Sequence, residues 1–334
     1  MTSLKQFCST HNINYEVANG LKYAESSPGI LDTYRLVGAD TADEVTLINI
    51  VPYGRFGNNI LQLVHAILFA KKTGIKKISI TGLFEGMKIA SLPQEVLDIQ
   101  FVNMPLVDES DSLALEGRFF FWWSLNGFFE AAPPKVVATI KQYILPLLGL
   151  EGGQGANDRT LHVHFRGGDV FAGDAVNAEY VQPPLSYYLS AYEDVVSQSQ
   201  IDHVVIVYED FKNPCVNQFL NILQNRNVQV SLQTGSLESD VMHLLSARQL
   251  IAGFGTFVPM IGLMSTHLKT IYFFNNGQRV AEFLYKGCSV KLIKDKALHY
   301  IKRGEWTNSA IQRELMINYP KQNLSEAILM NRTI

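Results

Sequence analysis

The sequence predicts an α/β fold with two domains, each built on a largely parallel sheet, facing one another across a cleft. Three observations carry that prediction. The run TLINIVPYG (46–54) passes through a glycine turn into a helical pattern at 60–74 and then into a second strand, KKISITG (76–82). That order is a βαβ unit, the building block of a parallel sheet. After the glycine-rich EGGQGAND (151–158) the same alternation restarts and continues to KTIYFFN (269–275), which is the pattern of a second such sheet.

The elements follow in order. Residues 1–45 are polar and mixed, with no strong period. ILQLVHAILFAKKTG (60–74) has apolar residues at helical spacing and ends on Gly74 as a C-cap. Residues 83–150 are harder to assign. RFFFWWSLNGFFE (118–130) is aromatic, and PPKVVATIKQYILPLLGL (133–150) begins as a helix that Pro146 should break. In the second half, TLHVHFRGGD (160–169) is a strand entering a glycine turn, 183–198 a helix, 203–210 a strand and 213–225 a helix. The strand 228–234 and the helix 236–249 follow, the latter opening on Ser236 and acidic residues as an N-terminus should. LIAGFGTF (250–257) is a buried strand and turn, followed by a helix and the strand 269–275. The domains are therefore expected at 1–155 and 156–300, with a helical tail over 301–334 that packs back.

Composition narrows the function. The 334 residues are 47% hydrophobic and 18% charged, which excludes a disordered or collagen-like chain. A net charge of −3 provides no global positive field for a nucleic-acid backbone. Cys8, Cys215 and Cys288 are too few and too scattered for a disulfide framework or a metal cluster. The uncharged stretch between Arg248 and Lys269 approaches spanning length, but Gly253, Gly255, Pro259 and Gly262 interrupt it, so no membrane span is expected. No basic head and apolar core open the chain, so a cytoplasmic protein without a signal peptide is expected.

Ligands of open α/β sheets bind beyond the carboxyl ends of the strands, and every informative motif lies at such an end. In Gly54-Arg55-Phe56-Gly57-Asn58-Asn59 the glycines let backbone approach a ligand, the following helix start favours an anion, and Arg55, Asn58 and Asn59 add donors. The alternative is an ordinary tight turn. In His162-Val163-His164-Phe165-Arg166-Gly167-Gly168-Asp169, strand alternation puts His162, His164 and Arg166 on one face and Val163 and Phe165 on the other. The Arg166 fork suits phosphate oxygens. Asp169 could accept a proton or hold Arg166 in place. The His-x-His spacing also suits a metal, but no third ligand is near except Asp169, and no metal is expected. His164 reads equally as packing and as part of a site.

Tyr208-Glu209-Asp210 ends another strand, where carboxylates can accept from a base edge or a ribose, or can cap a helix. Gly253-Phe254-Gly255-Thr256-Phe257 runs from strand to helix, with Ser239 and Asp240 on the preceding helix. Thr256 and nearby N–H groups could hold phosphate. Trp122 and Trp123 are adjacent, so in a strand one could stack on a sugar while the other enters the core.

These motifs, in this order, resemble those of family-11 glycosyltransferases, which include the α-1,2-fucosyltransferases. Gly54–Asn59 is similar to their GRxGNQ motif, HVHFRGGD (162–169) to their HxRRGD motif, VQPPLSYY (181–188) to the segment after it, and LLSARQLIAGFGTF (244–257) to their late motif. The resemblance implies a GT-B fold of two Rossmann-like domains, the first on the acceptor side and the second binding the nucleotide sugar. It implies inverting transfer without a metal or other cofactor. The donor would be GDP-fucose, or UDP-xylose as in relatives of the wider superfamily, and the acceptor a carbohydrate hydroxyl. By position Arg166 corresponds to the arginine on the donor β-phosphate, Asn58 to the asparagine of the first motif, and Thr256 and Phe257 to residues near the nucleotide. The donor set is then Arg55, Gly57, Asn58, Asn59, His164, Arg166, Tyr208, Glu209, Asp210, Ser239, Asp240, Gly255, Thr256 and Phe257. Trp122 and Trp123 are the residues expected on the acceptor side, and Asp169, with His164 second, is expected as the general base. Two positions depart from the pattern: Gly167 stands where the family has a second arginine, and Asn59 where it has glutamine.

Overall fold

Local sequence sets the elements, and pairing across the chain sets two separate sheets. The structure, a computed structural model, describes residues 6, 15–18, 34–38, 41–89, 91–103, 113–120, 132–150, 155–173, 176–275 and 287–330. The chain divides into two units, Met1–Glu151 and Gly152–Ile334. Each contains a seven-stranded, mostly parallel sheet with helices.

The first unit contains β1 (Tyr15–Ala18), β2 (Tyr34–Val37), β3 (Leu47–Ile50), helix α1 (Phe56–Thr73) and β4 (Lys77–Ser79). It continues with β5 (Gln94–Val96), β6 (Ile99–Val102), β7 (Ala114–Gly117) and α2 (Ala132–Thr139). The sheet order is β1-β2-β7-β3-β4-β6-β5. The β3-α1-β4 unit is the one the sequence shows, with β3 and β4 parallel neighbours. Five strands escape the sequence reading. They are three or four residues long, too short for a period to show, and β7 inserts between β2 and β3.

Two details differ from expectation. Helix α1 starts at Phe56, so Gly57, Asn58 and Asn59 form its first turn rather than the loop before it. Pro146 does not end its helical segment. A π-turn over Ile140–Ile144 precedes it, and the Leu145 N–H bonds to the Ile140 carbonyl. That wider turn relieves the clash that a proline imposes on an ordinary α-helix.

The second unit contains β8 (Thr160–Phe165), α3 (Leu185–Gln198), β9 (His203–Tyr208), α4 (Pro214–Asn225), β10 (Gln229–Gln233) and α5 (Leu237–Ser246). It continues with β11 (Gln249–Ile251), α6 (Phe257–Met264), β12 (Thr270–Asn275), β13 (Ser289–Lys294), α7 (Ala310–Asn318) and β14 (Ile328–Leu329). The order is β10-β9-β8-β11-β12-β13-β14, parallel throughout except for β14. One face of β8 behaves as its alternation predicts. Val163 and Phe165 join Tyr188 of α3 and Phe219 of α4 in the main core, with Phe165 stacked on Tyr188 at 4.1 Å. The other face carries His162 and His164, and the His164 ring lies 5.4 Å from Phe257 of α6. Helices therefore cover both faces, as in doubly wound sheets.

The chain's end closes the second unit. Trp306 is fully buried, donates from Nε1 to the Val170 carbonyl at 3.0 Å, and meets Phe171 edge to face. Met316 and Tyr319 complete the same core. No helix among the described residues is long and apolar enough to cross a membrane.

Candidate functional site

The strand order of the second sheet has one reversal. The chain moves outward from β8 to β9 to β10, then returns to the other side of β8 as β11. The crevice beyond the carboxyl ends of β8 and β11 is therefore the topological switch point, where open α/β sheets bind ligands. Arg166 to Asp169 follow β8, and Gly253 to Thr256 follow β11, so both motifs converge there.

The loop after β8 is tightly held. Asn213 caps α4, accepting from the Cys215 N–H at 3.0 Å, while its amide donates to the Arg166 carbonyl at 2.9 Å. One side chain thus ends a helix and fixes the backbone of the arginine. A Cβ on Gly253 would lie 3.0 Å from the His164 carbonyl and 3.1 Å from the Arg166 nitrogen, so glycine lets the two motifs approach. Gly168 has φ +66°, and the Gly168–Phe171 turn that follows is braced by Trp306.

Charge at this edge is already arranged in pairs. Arg166 Nη2 donates to Asp169 Oδ1 at 2.6 Å, with the arginine side chain 14% exposed and the aspartate 64%. Asp210 accepts from the Gly168 N–H at 3.4 Å and the Lys212 N–H at 3.0 Å, and pairs with Lys212 Nζ at 3.1 Å. Burial works to raise the Asp210 pKa, but these partners together hold it below the ordinary carboxylate value. Glycine at 167 suits this packing, since a Cβ there would lie 2.7 Å from Asp210 Oδ1 and the carboxylate would have to shift. A longer side chain at 167 must displace the Asp210 carboxylate.

His164 is buried, and burial, followed by the Arg166 charge, pushes its pKa down to about 3. Burial thus favours the neutral imidazole, and Nδ1 finds no hydrogen-bond partner in the described structure. His162 is buried too, its pKa lowered to about 4 by burial and then by His243 and His203. Among the described residues no group of three or more His, Cys, Asp or Glu could hold a metal.

The carboxyl ends of β9 and β10 add a second polar patch. Gln233 donates to Ser239 Oγ at 2.9 Å and Asp240 Oδ1 at 3.0 Å, and Thr234 donates to the Glu209 carbonyl at 3.3 Å. Burial pushes the Asp240 pKa up, and the Glu209 charge adds to it, against the Gln233 hydrogen bond. Tyr208 is buried beneath Phe211, which is 48% exposed with its ring 4.7 Å from that of Tyr208. Ser239, Asp240, Glu209 and Asp210 thus meet at one edge with Arg166, His164, Thr256 and Phe257. Gln233, Asn213, Phe211 and Trp306 join them unforeseen. Only Asn213 carried a readable signal, an Asn-Pro pair at a helix start.

The first motif belongs to the other unit. Gly54 has φ +68°, and a Cβ on it would lie 2.1 Å from Asn58 Nδ2, so the turn folds directly onto that side chain. Asn58 and Asn59 are buried and Arg55 is exposed. Asn59 Oδ1 accepts from Gln62 at 3.4 Å, Gln62 Oε1 accepts from the Phe119 N–H at 3.2 Å, and His65 Nδ1 meets the Phe119 carbonyl at 2.5 Å. This buried polar column ties α1 to the segment after β7. Gln62→Leu leaves the Phe119 N–H buried without its acceptor and is expected to cost about 1–3 kcal/mol. Urea denaturation measures it, and an unchanged midpoint would remove the column from the account of stability. Beside the motif, Ile80, Phe84, Met87, Leu92, Glu85 and Asn103 help line a cavity of about 470 Å³ beyond the carboxyl ends of β4 and β6. Trp122 and Trp123 lie outside the described residues.

No family model and no curated protein matches the chain. Solved structures do. POFUT1 in complex with GDP is similar at 9% identity and a TM-score of 0.37, over 66% of this chain and 95% of that one. The E. coli heptosyltransferase WaaC with ADP is similar at 10% identity and 0.40, over 80% and 98%. E. coli ADP-heptose lps heptosyltransferase II is similar at 9% and 0.38, over 81% and 96%.

Proposed function

We propose that the chain is an inverting glycosyltransferase of GT-B type that takes a nucleoside-diphosphate sugar, with GDP-fucose first and UDP-xylose second, and transfers the sugar to a carbohydrate hydroxyl. The observation that carries the reading is Arg166 at the switch point of the second sheet, between two glycine turns that open the backbone. A diphosphate leaving group gathers negative charge as its bond to the sugar breaks. A fixed guanidinium stabilises that charge without reorganising. The start of α6, at Thr256 and Phe257, adds its dipole.

The chemistry is a single displacement. The acceptor oxygen forms a bond to the anomeric carbon as the bond from that carbon to the β-phosphate oxygen breaks. The electron pair of the broken bond stays on the phosphate, and the acceptor proton passes to a base. Asp169, an exposed carboxylate on the turn after β8, fits that role. His164 fits it poorly, because a buried imidazole with a pKa near 3 holds a proton weakly. The first unit would serve the acceptor. Its cavity is lined by Ile80, Phe84, Met87 and Leu92 together with Glu85, Ser91 and Asn103, with no cation among the described lining residues, which suits a neutral sugar better than a phosphate.

A thermal-shift panel of GDP, GDP-fucose, UDP, UDP-xylose and UDP-galactose, with and without EDTA, tests the reading. Ligand that binds only the folded state raises stability by about 2.7 kcal/mol at a hundredfold excess over Kd. A GDP-selective shift that survives EDTA is the expected result. A UDP-selective shift moves the donor to a UDP sugar, and EDTA sensitivity removes metal independence. No shift with any nucleotide sinks the transferase reading and leaves a carbohydrate-binding relative, which the crowded Gly167 would favour.

A further inference from the structure

Among the described residues, Arg166 and Lys212 place cations at the edge beyond β8 and β9, and each is held by a carboxylate. The two carboxylates differ in exposure, 29% for the Asp210 side chain against 64% for that of Asp169. Asp210 has three donors and packs against Gly167, so it is part of the loop's frame. Asp169 stands on the turn, 64% exposed, with its Oδ1 at 2.6 Å from Arg166 Nη2. The arginine is the fixed member, since its backbone is bound by Asn213 and its side chain is only 14% exposed.

We propose that Asp169 occupies the phosphate seat on Arg166 in the free protein, and that the donor diphosphate displaces it. The inference rests on the glycosyltransferase reading and adds an order of events to it. One exchange delivers the guanidinium to the leaving group and releases the carboxylate to take the acceptor proton. The proton acceptor is then withheld until the donor is seated. The exchange is favoured because Asp169 returns to solvent as an exposed carboxylate, whereas a guanidinium fork holds a diphosphate through two charge-assisted hydrogen bonds.

The exchange makes a prediction of unusual sign. A carboxylate that merely orients the arginine helps ligand binding, whereas one that competes for it hinders. Asp169→Asn keeps the shape and removes the competing charge. Calorimetric titration of the full chain with GDP, and with pyrophosphate as the base-free probe, should show Asp169→Asn binding about fivefold more tightly than wild type. With sugar donor and acceptor, the same variant should lower both KM for the donor and kcat, because the seat is vacated and the base is lost. Arg166→Ala should bind neither probe, and Arg166→Ala with Asp169→Asn should gain nothing over it. Equal or weaker binding by Asp169→Asn, while wild type binds GDP, overturns the exchange and leaves the transferase reading standing. If wild type and Asp169→Asn both fail to bind GDP, UDP and pyrophosphate, the reading falls and the exchange with it.

Discussion

Arg166→Ala is expected to lower kcat by about a hundred- to a thousandfold and to abolish stabilisation by the nucleotide, the loss typical of removing one preorganised charge donor from a developing anion. The effect should be large because, among the described residues at this edge, the other cation is already paired. The adjacent position is glycine, and a side chain there would collide with Asp210. Lys212 is committed to Asp210. Arg166→Lys should recover little, since an ammonium on a flexible stem cannot bind two phosphate oxygens as the planar fork does. Steady-state kinetics with the donor found in the thermal panel measures both variants. A kcat within threefold of wild type for the alanine variant would remove Arg166 from the chemistry.

Much of this site was legible in the sequence for a specific reason. The six residues of β8 are long enough to show alternation, and their parity alone separates His162, His164 and Arg166 from Val163 and Phe165. The glycine turns after β8 and β11 were legible because glycine is the residue that close backbone approach demands. What remained hidden is tertiary. Nothing local shows that the carboxylates after β9 lie against the glycines after β8. Nor does anything local show that Trp306, more than 130 residues downstream, closes the turn carrying Asp169. The first motif misled about its helix for a related reason. Gly-Asn-Asn has the composition of a turn, yet burial and the bond from Gln62 to Asn59 keep those residues in α1. The short strands of the first unit hid because three or four residues cannot display a period, and their partners lie far along the chain.

The crowding at Gly167 allows a converse experiment. Gly167→Arg installs the second arginine of the resembled family and should add a cation where a diphosphate would bind. It is expected instead to destabilise the protein by about 2–4 kcal/mol, from overpacking and the loss of bonded partners. The Cβ would lie 2.7 Å from Asp210 Oδ1 and 3.3 Å from the Asp210 nitrogen, so the carboxylate must leave its bonds to the Gly168 and Lys212 N–H groups. At roughly 2–4 °C per kcal/mol for a unit of this size, the melting temperature should fall by about 4–16 °C. Adding Asp210→Ala should recover part of that loss, because the obstacle is the carboxylate itself, and the double variant should bind pyrophosphate more tightly than wild type. Two neutral results would count against this account. One is a single variant that melts with wild type, which would mean Asp210 yields freely. The other is a double variant no more stable than the single, which would place the strain in the backbone. If the rescue occurs, Gly167 and Asp210 form one steric unit, in which the absence of a side chain at 167 makes room for the carboxylate behind it.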